Sequence, residues 1–399
     1  MSSRSLEDYA LTKLRSLERR SLKREIATID RASEARVQTA GGTLISFSCN
    51  DYLGLANDPA TAAASIEATE RLGTGAGASR LITGSHSPYT ELERSLTDLK
   101  ETEDAVVFGS GYLANIGIIP LFAGRPDLVL IDELAHSCMI AGAELSGAEV
   151  VTFAHNDTDA ARGELEKRRS RHRHCLILTE GVFSMEGDLA PLPALAELAD
   201  RHDAWLMTDD AHGLGVVGGG RGSTYAHGDR IDVPLQMGTL SKAAGSYGGY
   251  LCASHGICEL VRNRARSFVF STGLPPGAVA AATRALAIIR EDPARVARPL
   301  ALARRCTAAL GWPDAVSAIV PLVLGPSDAA LAASAALGRA GFLVTAIRPP
   351  TVPAGTARLR FTFSAAHTDA DVDALIGAVR ELGLLPVAAR RERVAGARR

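Results

Sequence analysis

One lysine differs from the others in its sequence surroundings. The chain has five lysines, and four lie among charged residues in helix-like stretches, where we expect solvent-exposed amines: Lys13, Lys23, Lys100 and Lys167. Lys242 instead follows an apolar run and precedes the small, glycine-rich residues 243–249. A lysine amine withdrawn from water can become a nucleophile and form a Schiff base with a carbonyl cofactor. Lys242 is therefore the first candidate for chemistry, the alternative being a surface lysine in a glycine-rich loop.

Two acids and a histidine follow another apolar run, residues 204–208. Neighbouring residues of a strand point to opposite faces, so Asp209 and Asp210 are not expected to share a site. Asp209 could hold a protonated ring nitrogen, as pyridoxal phosphate enzymes require of an Asp. His212, three residues further on, could reach another edge of the same ring. An acid in this position can equally be a helix cap or a member of an ion pair.

Three further apolar runs end in residues that suit the same cofactor. Residues 105–108 lead into Gly111 and Tyr112, where glycines open a helix whose free amides could bind phosphate. His136 follows residues 128–131 and could stack on an aromatic ring, although a structural histidine is an equal alternative. Ser184 follows residues 175–178, and its alternative is a solvated loop serine. The five strand ends together favour one cofactor site far more than any one of them does.

Composition excludes several classes of protein. The chain has 399 residues and a formal charge of −2, so it has no general field to attract a polyanion. Its six cysteines include no C-x-x-C pair, which argues against a zinc ribbon or a disulfide framework. We expect no metal site. The N-terminus has no apolar signal region and no stretch is apolar enough to span a membrane, which predicts a cytoplasmic globular protein.

Alternating apolar runs and helix-like stretches predict an α/β fold with a mostly parallel sheet between helices. The expected strands are residues 105–108, 128–131, 150–153, 175–178, 205–208, 235–237 and 250–253. Ligands of such sheets bind beyond the carboxyl ends of the strands, where the candidate residues lie. We expect one amphipathic helix up to about Thr39. The predicted organisation is an N-terminal segment (1–49), a large domain (50–290), a small C-terminal α+β domain (291–385) and a disordered tail (386–399).

Glycine-rich residues 73–79 imitate a dinucleotide-binding loop. They follow a helix-like stretch, residues 62–72, whereas that fingerprint requires a preceding strand. A nicotinamide-dependent oxidoreductase is therefore a weaker alternative, and a catalytically inactive binding protein is another. The presence of Lys242, Asp209 and His212 argues against the latter.

Longer motifs resemble one known family. The shared segments are NDYLGLANDP (50–59), GASRLITGSH (77–86), GSGYLAN (109–115), EGVFSMEGDLAPL (180–192), DDAHGLGVVGGGRG (209–222), GTLSKAAGSYGGY (238–250) and FSTGLPP (270–276). Over roughly residues 5–385 the chain resembles the α-oxoamine synthases, pyridoxal phosphate enzymes of fold type I. The resemblance implies a PLP-dependent transferase fold and a homodimer with its active site at the subunit interface.

The resemblance also implies roles for individual residues. Lys242 would carry the cofactor and act as the base, Asp209 would pair with its ring nitrogen, and His136 would stack on the ring. His212 and Ser184 would bind the ring's phenolic oxygen. The phosphate would be held by Gly111, Tyr112 and Thr239, with Ser271 or Thr272 from a second subunit. Substrate would be bound by His136, Thr351, Arg360 and a basic N-terminal residue, either Arg24 or Lys23.

Residues 346–360 favour one branch of this family. The implied activity is a decarboxylative condensation of L-alanine with a pimeloyl thioester, on coenzyme A or on an acyl carrier protein, which supplies biotin synthesis. The alternative is a sister enzyme that uses glycine or serine with another acyl thioester.

Overall fold

The computed structural model describes residues 3–20, 22–24, 26–33 and 35–385, so the predicted disordered tail lies outside the described residues. The helices within these ranges are α1 (Ser3–Arg19), α2 (Pro59–Leu72), α3 (Pro88–Lys100), α4 (Gly111–Phe122), α5 (Ser137–Ser146), α6 (Thr158–Arg168), α7 (Leu192–Arg201), α8 (His255–Arg264), α9 (Arg266–Val269), α10 (Pro276–Glu291), α11 (Pro293–Leu310), α12 (Ser327–Arg339) and α13 (Asp369–Glu381). The strands are β1 (Asp30–Ser33), β2 (Arg36–Thr39), β3 (Gly42–Ser46), β4 (Asp104–Phe108), β5 (Leu128–Asp132), β6 (Glu149–Phe153), β7 (Cys175–Glu180), β8 (Trp205–Asp209), β9 (Leu235–Thr239), β10 (Gly249–Ala253), β11 (Ile319–Gly325), β12 (Phe342–Leu343), β13 (Ala346–Ile347) and β14 (Ala357–Thr362).

A seven-stranded sheet forms the centre of the molecule, in the order β4-β10-β9-β8-β7-β5-β6. The strands from β9 to β6 are parallel, and β10 is antiparallel to both of its neighbours. All seven runs predicted from the sequence are strands of this sheet. The prediction of a mostly parallel sheet between helices is therefore confirmed.

Burial on both faces explains why the strands of this sheet, apart from the partly exposed edge strand β6, have nearly continuous apolar sequences. In β4, Val106 and Phe108 pack in one hydrophobic core, whereas Ala105 and Val107 pack in another on the opposite face. Helices cover each core, so both alternating sets of side chains leave water. The covered sheet fixes the positions of the loops that leave its carboxyl edge.

A smaller sheet follows in the C-terminal part of the chain, with β14 between β11 and β13 in antiparallel pairing. The α12 helix packs against this sheet, and α11 packs against α13. The short β12 pairs with β3, which joins the N-terminal strands to this part of the chain. The predicted domain boundaries stay a prediction. Among the described residues, no helix is both long enough and apolar enough to cross a membrane.

The prediction of one helix up to about Thr39 is wrong beyond Arg19. Residues 30–33 and 36–39 form β1 and β2, and β2 continues into an antiparallel pair with β3. The segment after α1 instead forms local antiparallel hairpins, in which β2 pairs with β1 on one side and with β3 on the other. These hairpins supply the backbone hydrogen bonds that a continued helix would have made.

The expectation of a solvent-exposed Lys100 is also wrong. Lys100 is the last residue of α3 and is fully buried, with its amine 3.0 Å from Asp210 Oδ2 and 2.6 Å from the carbonyl oxygen of Arg221. Its helix face also carries the buried Leu92, Leu96 and Leu99, so the lysine turns inward with them. Charged neighbours in the sequence concealed this face.

Candidate active site

Five loops at the carboxyl edge of the central sheet enclose a cavity of about 180 Å³. The residues that line it are Ser110, Gly111, Tyr112, His136, Cys138, Glu180, Asp209, Ala211, His212, Thr239, Ser241 and Lys242. They include seven of the residues predicted as a cofactor site. Strand ends that are far apart in the sequence thus meet at one cavity, at the carboxyl edge of the sheet where ligands of parallel sheets bind.

The Lys242 amine makes no hydrogen bond or ion pair with any residue that the structure describes. Burial lowers the pKa of this amine, while the nearby Asp209 carboxylate opposes that effect. A lysine with a lowered pKa is neutral, and therefore nucleophilic or basic, in a larger fraction of molecules. Its position inside the cavity leaves this nitrogen available to a bound group.

The Asp209 carboxylate lies at the end of β8 and is held at both oxygens. The Asn115 side-chain amide donates to Oδ2 at 2.8 Å, and the backbone N–H of Ala211 donates to Oδ1 at 3.0 Å. Asp210 points the other way, toward Lys100. Only Asp209 lines the cavity, as the alternation of side chains along a strand predicts.

The first turn of α4 forms a second wall of the cavity. Ser110 caps this helix, since its hydroxyl accepts a hydrogen bond from the Leu113 N–H at 3.1 Å. The first amides of a helix have no partner within the helix and can bind an anion. A Cβ on Gly111 would lie 3.3 Å from Met237 Cε and 3.4 Å from Thr239 Cβ, so a larger residue would crowd this wall.

The Thr239 hydroxyl is already engaged. It donates to the carbonyl oxygen of Gly248 at 2.7 Å and lies 2.8 Å from the Ser241 hydroxyl. The Ser241 hydroxyl also lines the cavity, and it can donate to an anion there without losing the bond from Thr239 to Gly248.

His136 begins α5 as its N-terminal cap. The backbone N–H of Cys138 donates to His136 Nδ1 at 3.3 Å, and the Cys138 sulfur lies 2.8 Å from the same nitrogen. Burial lowers the pKa of His136. Because Nδ1 accepts the hydrogen bond from Cys138, the neutral ring carries its proton on Nε2, which leaves Nε2–H as a donor.

His212 is buried in a network that the sequence did not predict. Its Nδ1 lies 2.6 Å from the Tyr52 hydroxyl, to which Arg360 Nη2 donates at 3.3 Å. Burial lowers the pKa of His212 well below its usual range, and the nearby positive charges of Lys242 and Arg360 lower it further. The imidazole of His212 is therefore neutral at physiological pH.

Arg360 is a buried cation held only by neutral groups. Its guanidinium donates to Asn50 Oδ1 at 3.0 Å, to the Tyr52 hydroxyl and to the carbonyl oxygen of Ser184. No carboxylate among the described residues forms an ion pair with it. A buried cation without a counter-ion is costly, which makes this position suited to an anionic ligand.

A larger cavity of about 470 Å³ adjoins the first one at His136, which lines both. Arg24 and Thr351 line its wall, and Arg24 Nη2 donates to Thr351 Oγ1 at 2.9 Å. Ser184 also lines this cavity, and its backbone N–H donates to Glu180 Oε2 at 3.1 Å. Three predicted substrate-binding residues, His136, Arg24 and Thr351, thus share one space.

Ser271 and Thr272 lie apart from both cavities. Thr272 forms an isolated bridge with Ser79, and the Ser271 N–H donates to the carbonyl oxygen of Phe268. The preceding Phe270 is 76% exposed. A single chain therefore does not bring these two residues to the other candidates, and their assignment to a second subunit stays a prediction.

Sequence reasoning missed four side chains of the site: Tyr52, Asn115, Cys138 and Glu180. Tyr52 and Asn115 lie in segments that carried the family resemblance, but no chemistry pointed to them individually. Their contacts with His212 and Asp209 join positions 160 and 94 residues apart. Glu180 comes two residues after the predicted strand 175–178 and ends the observed β7, so the rule that located Asp209 could also have found it.

Comparison with known proteins identifies the family. The model of aminotransferase class I and II matches residues 42–379. The 8-amino-7-oxononanoate synthases of Methylobacterium nodulans and Granulibacter bethesdensis are 56% and 55% identical to the chain. Each alignment covers 95% of this chain and 97% or 98% of the relative.

A solved structure shows the same fold. Serine palmitoyltransferase from S. paucimobilis, with bound PLP-myriocin aldimine, is 31% identical with a TM-score of 0.85. The match covers 96% of this chain and all of that one. The chain belongs to the aminotransferase class I and II family, in its α-oxoamine synthase branch together with the 8-amino-7-oxononanoate synthases.

Proposed function

We propose that the protein is a pyridoxal phosphate-dependent acyltransferase that condenses L-alanine with a pimeloyl thioester. The products are 8-amino-7-oxononanoate, carbon dioxide and the free thiol, and the reaction belongs to biotin synthesis. The observation that carries the proposal is the partner-free Lys242 amine in one cavity with the Asp209 carboxylate. Similarity over nearly the whole length to 8-amino-7-oxononanoate synthases supports the choice of substrates.

The residues of the smaller cavity fit this cofactor. The amine of Lys242 suits its aldehyde, the Asp209 carboxylate suits its ring nitrogen, and the amides of Gly111 and Tyr112 suit its phosphate. His136 would lie on the ring face, and His212 with Ser184 would bind the phenolic oxygen. Thr239 would contact the phosphate, and Ser241 is a further donor there.

Pyridoxal phosphate, when bound, supplies an electron-poor ring that stabilises negative charge at the Cα of an amino acid. Lys242 Nζ takes the proton from Cα of L-alanine, a step that its lowered pKa favours. The Asp209 carboxylate, whose oxygens accept hydrogen bonds from Asn115 and from the Ala211 amide, would pair with the ring nitrogen of the bound cofactor. The chain thus supplies both the base and the group that sustains the charge.

Arg360 binds the carboxylate of alanine in a two-pronged contact. In the overall reaction, Cα forms a bond to the acyl carbon, the thiol leaves, and the carboxylate departs as carbon dioxide. A proton then returns to the carbon from which carbon dioxide was lost. His136, which lines both cavities, would offer its Nε2–H as a donor to substrate, while Arg24 and Thr351 would bind the acyl substrate in the larger cavity.

We also propose that the enzyme works as a homodimer in the cytoplasm. Exposed aromatic side chains at Tyr112, Tyr247 and Phe270 support an interface, since each is at least half exposed in the single chain and Tyr112 also lines the smaller cavity. Such an interface would bring Ser271 or Thr272 to the partner's cofactor. Sedimentation of the active enzyme tests this, and an active monomer would contradict it.

A substrate-pair assay tests the proposed reaction. L-Alanine, glycine and L-serine are each combined with pimeloyl, acetyl, succinyl and palmitoyl thioesters, and products are identified by mass. Coenzyme A and carrier-protein forms of the pimeloyl donor are compared side by side. We expect the highest kcat/KM for alanine with a pimeloyl thioester. A higher value for another pair, such as serine with palmitoyl-CoA, would reject the proposed substrates.

A further inference from the structure

Two carboxyl groups on neighbouring strands line the smaller cavity. Glu180 ends β7 and Asp209 ends β8, and the two residues are direct partners in the parallel pairing of these strands. Both side chains are buried, and both line the cavity that contains Lys242. Neighbouring carboxyl groups in a poorly hydrated space do not both ionise readily. One of them is therefore expected to keep its proton.

The hydrogen-bond partners show which one it is. Asp209 accepts a hydrogen bond at each oxygen, from Asn115 and from the Ala211 amide. Glu180 accepts only one, from the Ser184 N–H to Oε2, and its buried Oε1 has no partner among the described residues. Both oxygens of an ionised carboxylate can only accept hydrogen bonds, so a buried oxygen that receives none is unfavourable. A protonated carboxyl group can instead donate a hydrogen bond from that oxygen. The partner set thus favours a neutral Glu180.

The surrounding charges agree with this assignment. Burial is the largest effect and raises the pKa of Glu180 well above its usual range, and the charges of Asp209 and Glu186 raise it further. Lys242 and the Ser184 amide act in the opposite direction but do not outweigh burial. Arg360 contacts the carbonyl oxygen of Ser184 rather than the Glu180 carboxyl group.

We propose that Glu180 is a neutral carboxylic acid in the working enzyme and that its Oε1–H donates a hydrogen bond into the cavity where the cofactor binds. Asp209 is then the single carboxylate beside the Lys242 amine. This inference rests on the proposed cofactor site and adds to it a residue that tunes the charge of that site. A second anion there would hold the Lys242 nitrogen protonated to higher pH.

Infrared difference spectroscopy tests the protonation state directly. Spectra of the protein as isolated, near neutral pH, are compared between the wild type and Glu180→Gln. We expect the C=O band of a protonated carboxyl group in the wild type, shifted in deuterated water and absent from the variant. Glu67→Gln, on the exposed side of α2, is the control and should leave the band intact. Failure of Glu180→Gln to remove such a band would overturn the proposal.

A pH titration of the bound cofactor's absorbance tests the consequence for the site. With a neutral Glu180, the midpoint for Glu180→Gln should stay within about 0.3 pH unit of the wild type, because no charge is removed. Loss of an ionised Glu180 would instead lower the midpoint by about one unit or more, and this result would overturn the proposal. Glu180→Leu, which cannot donate, should weaken cofactor binding about tenfold.

The two measurements separate this inference from the proposed function. If the protein bound no pyridoxal phosphate, the proposed function would fail, but the infrared band would still report the state of Glu180. Circular dichroism shows whether Glu180→Leu folds. If the leucine variant does not fold, the isosteric Glu180→Gln still tests the inference.

Discussion

Asp209 and Asp210 are adjacent in the chain, yet their carboxylates serve different parts of the molecule. Asp209 faces the cavity, where Asn115 Nδ2 donates to it, whereas Asp210 forms a fully buried ion pair with Lys100. Asp210 also accepts hydrogen bonds from the Ser223 N–H. Asp209 thus belongs to the proposed cofactor site, and Asp210 belongs to the buried ion pair on the opposite face of the chain.

Replacing Lys100 by leucine should destabilise the protein strongly. The substitution leaves the Asp210 carboxylate buried without its cation, which typically costs about 3–5 kcal/mol. Urea unfolding measures the change in the free energy of unfolding. The double variant Lys100→Leu/Asp210→Asn should lose less than Lys100→Leu alone, because it removes the unpaired charge.

The matched control for this experiment is Lys167→Ala, whose exposed amine pairs with Glu164. It should change the free energy of unfolding by no more than about 0.5 kcal/mol. A loss below about 1 kcal/mol in Lys100→Leu would show that the buried pair contributes little.

Replacing Asp209 by asparagine should weaken cofactor binding. The carboxylate proposed to pair with the ring nitrogen would be lost, and a hydrogen bond to a charged group is worth about 1.5–3 kcal/mol. The dissociation constant of pyridoxal phosphate should therefore rise about 10–100-fold, as measured by equilibrium dialysis. Asp203→Asn is the control, because Asp203 precedes the first residue of β8, at the end of the strand away from Asp209, and its side chain is 95% exposed. Equal affinity in both variants would remove Asp209 from the site.

Replacing Arg360 by lysine should raise the KM for L-alanine. The lysine keeps the positive charge but not the planar fork that binds a carboxylate at two points. We expect an increase of about 10–100-fold in KM, measured at saturating acyl donor. Arg305→Lys serves as the control, because its exposed guanidinium contacts only Asp369 and Asp373. An unchanged KM in Arg360→Lys would place the alanine carboxylate elsewhere.

His155 should make stability depend on pH in the alkaline range. Burial alone would lower the pKa of His155, but its hydrogen bonds to Asp132 and Asp188 outweigh burial and raise it to about 10. The ordinary value is 6.5, so the folded state binds the proton more tightly than the unfolded state. The resulting stabilisation is fully present below about pH 6.5 and is lost as the pH rises through about 10.

Urea unfolding of the wild type and His155→Gln across this pH range checks the prediction. The difference between their free energies of unfolding should shrink as the pH rises, since both proteins share every other titrating group. A difference that is constant or grows with pH would show that His155 is not the protonated partner of the two carboxylates.

The sequence predicted the central sheet well because all its strands except the edge strand β6 are buried on both faces. Such strands are short apolar runs between turns, which are easy to locate in a sequence. Asp209 and Lys242 each follow one of these runs, so their position at the carboxyl edge of the sheet was predictable. The network of Tyr52, His212 and Arg360 was not predictable in this way, because its members meet only after the segment that precedes α2 and β14 pack beside the large sheet.

Lys100 shows the opposite kind of failure. The surrounding sequence DLKETED indicates a solvated surface, and local charge is the only signal that the sequence offers there. Burial of this amine depends on Asp210, which lies 110 residues away in the chain. The predicted helix up to Thr39 failed for a different reason, since β2 pairs with its sequence neighbours β1 and β3 and only the pairing of β3 with β12 is distant in the chain.

Substitution of Lys242 by alanine provides one test of its role. The variant should lose at least about a thousandfold in kcat, because it removes the only amine that lines the smaller cavity in the described structure. Retained turnover would mean that another group takes the Cα proton.

Covalent trapping tests the central claim most directly. The protein is incubated with pyridoxal phosphate, reduced with borohydride, digested and mapped by mass spectrometry. The account predicts one modified lysine, at position 242, and no stable label in Lys242→Ala. A label on another lysine, or no label at all in the wild type, would contradict it.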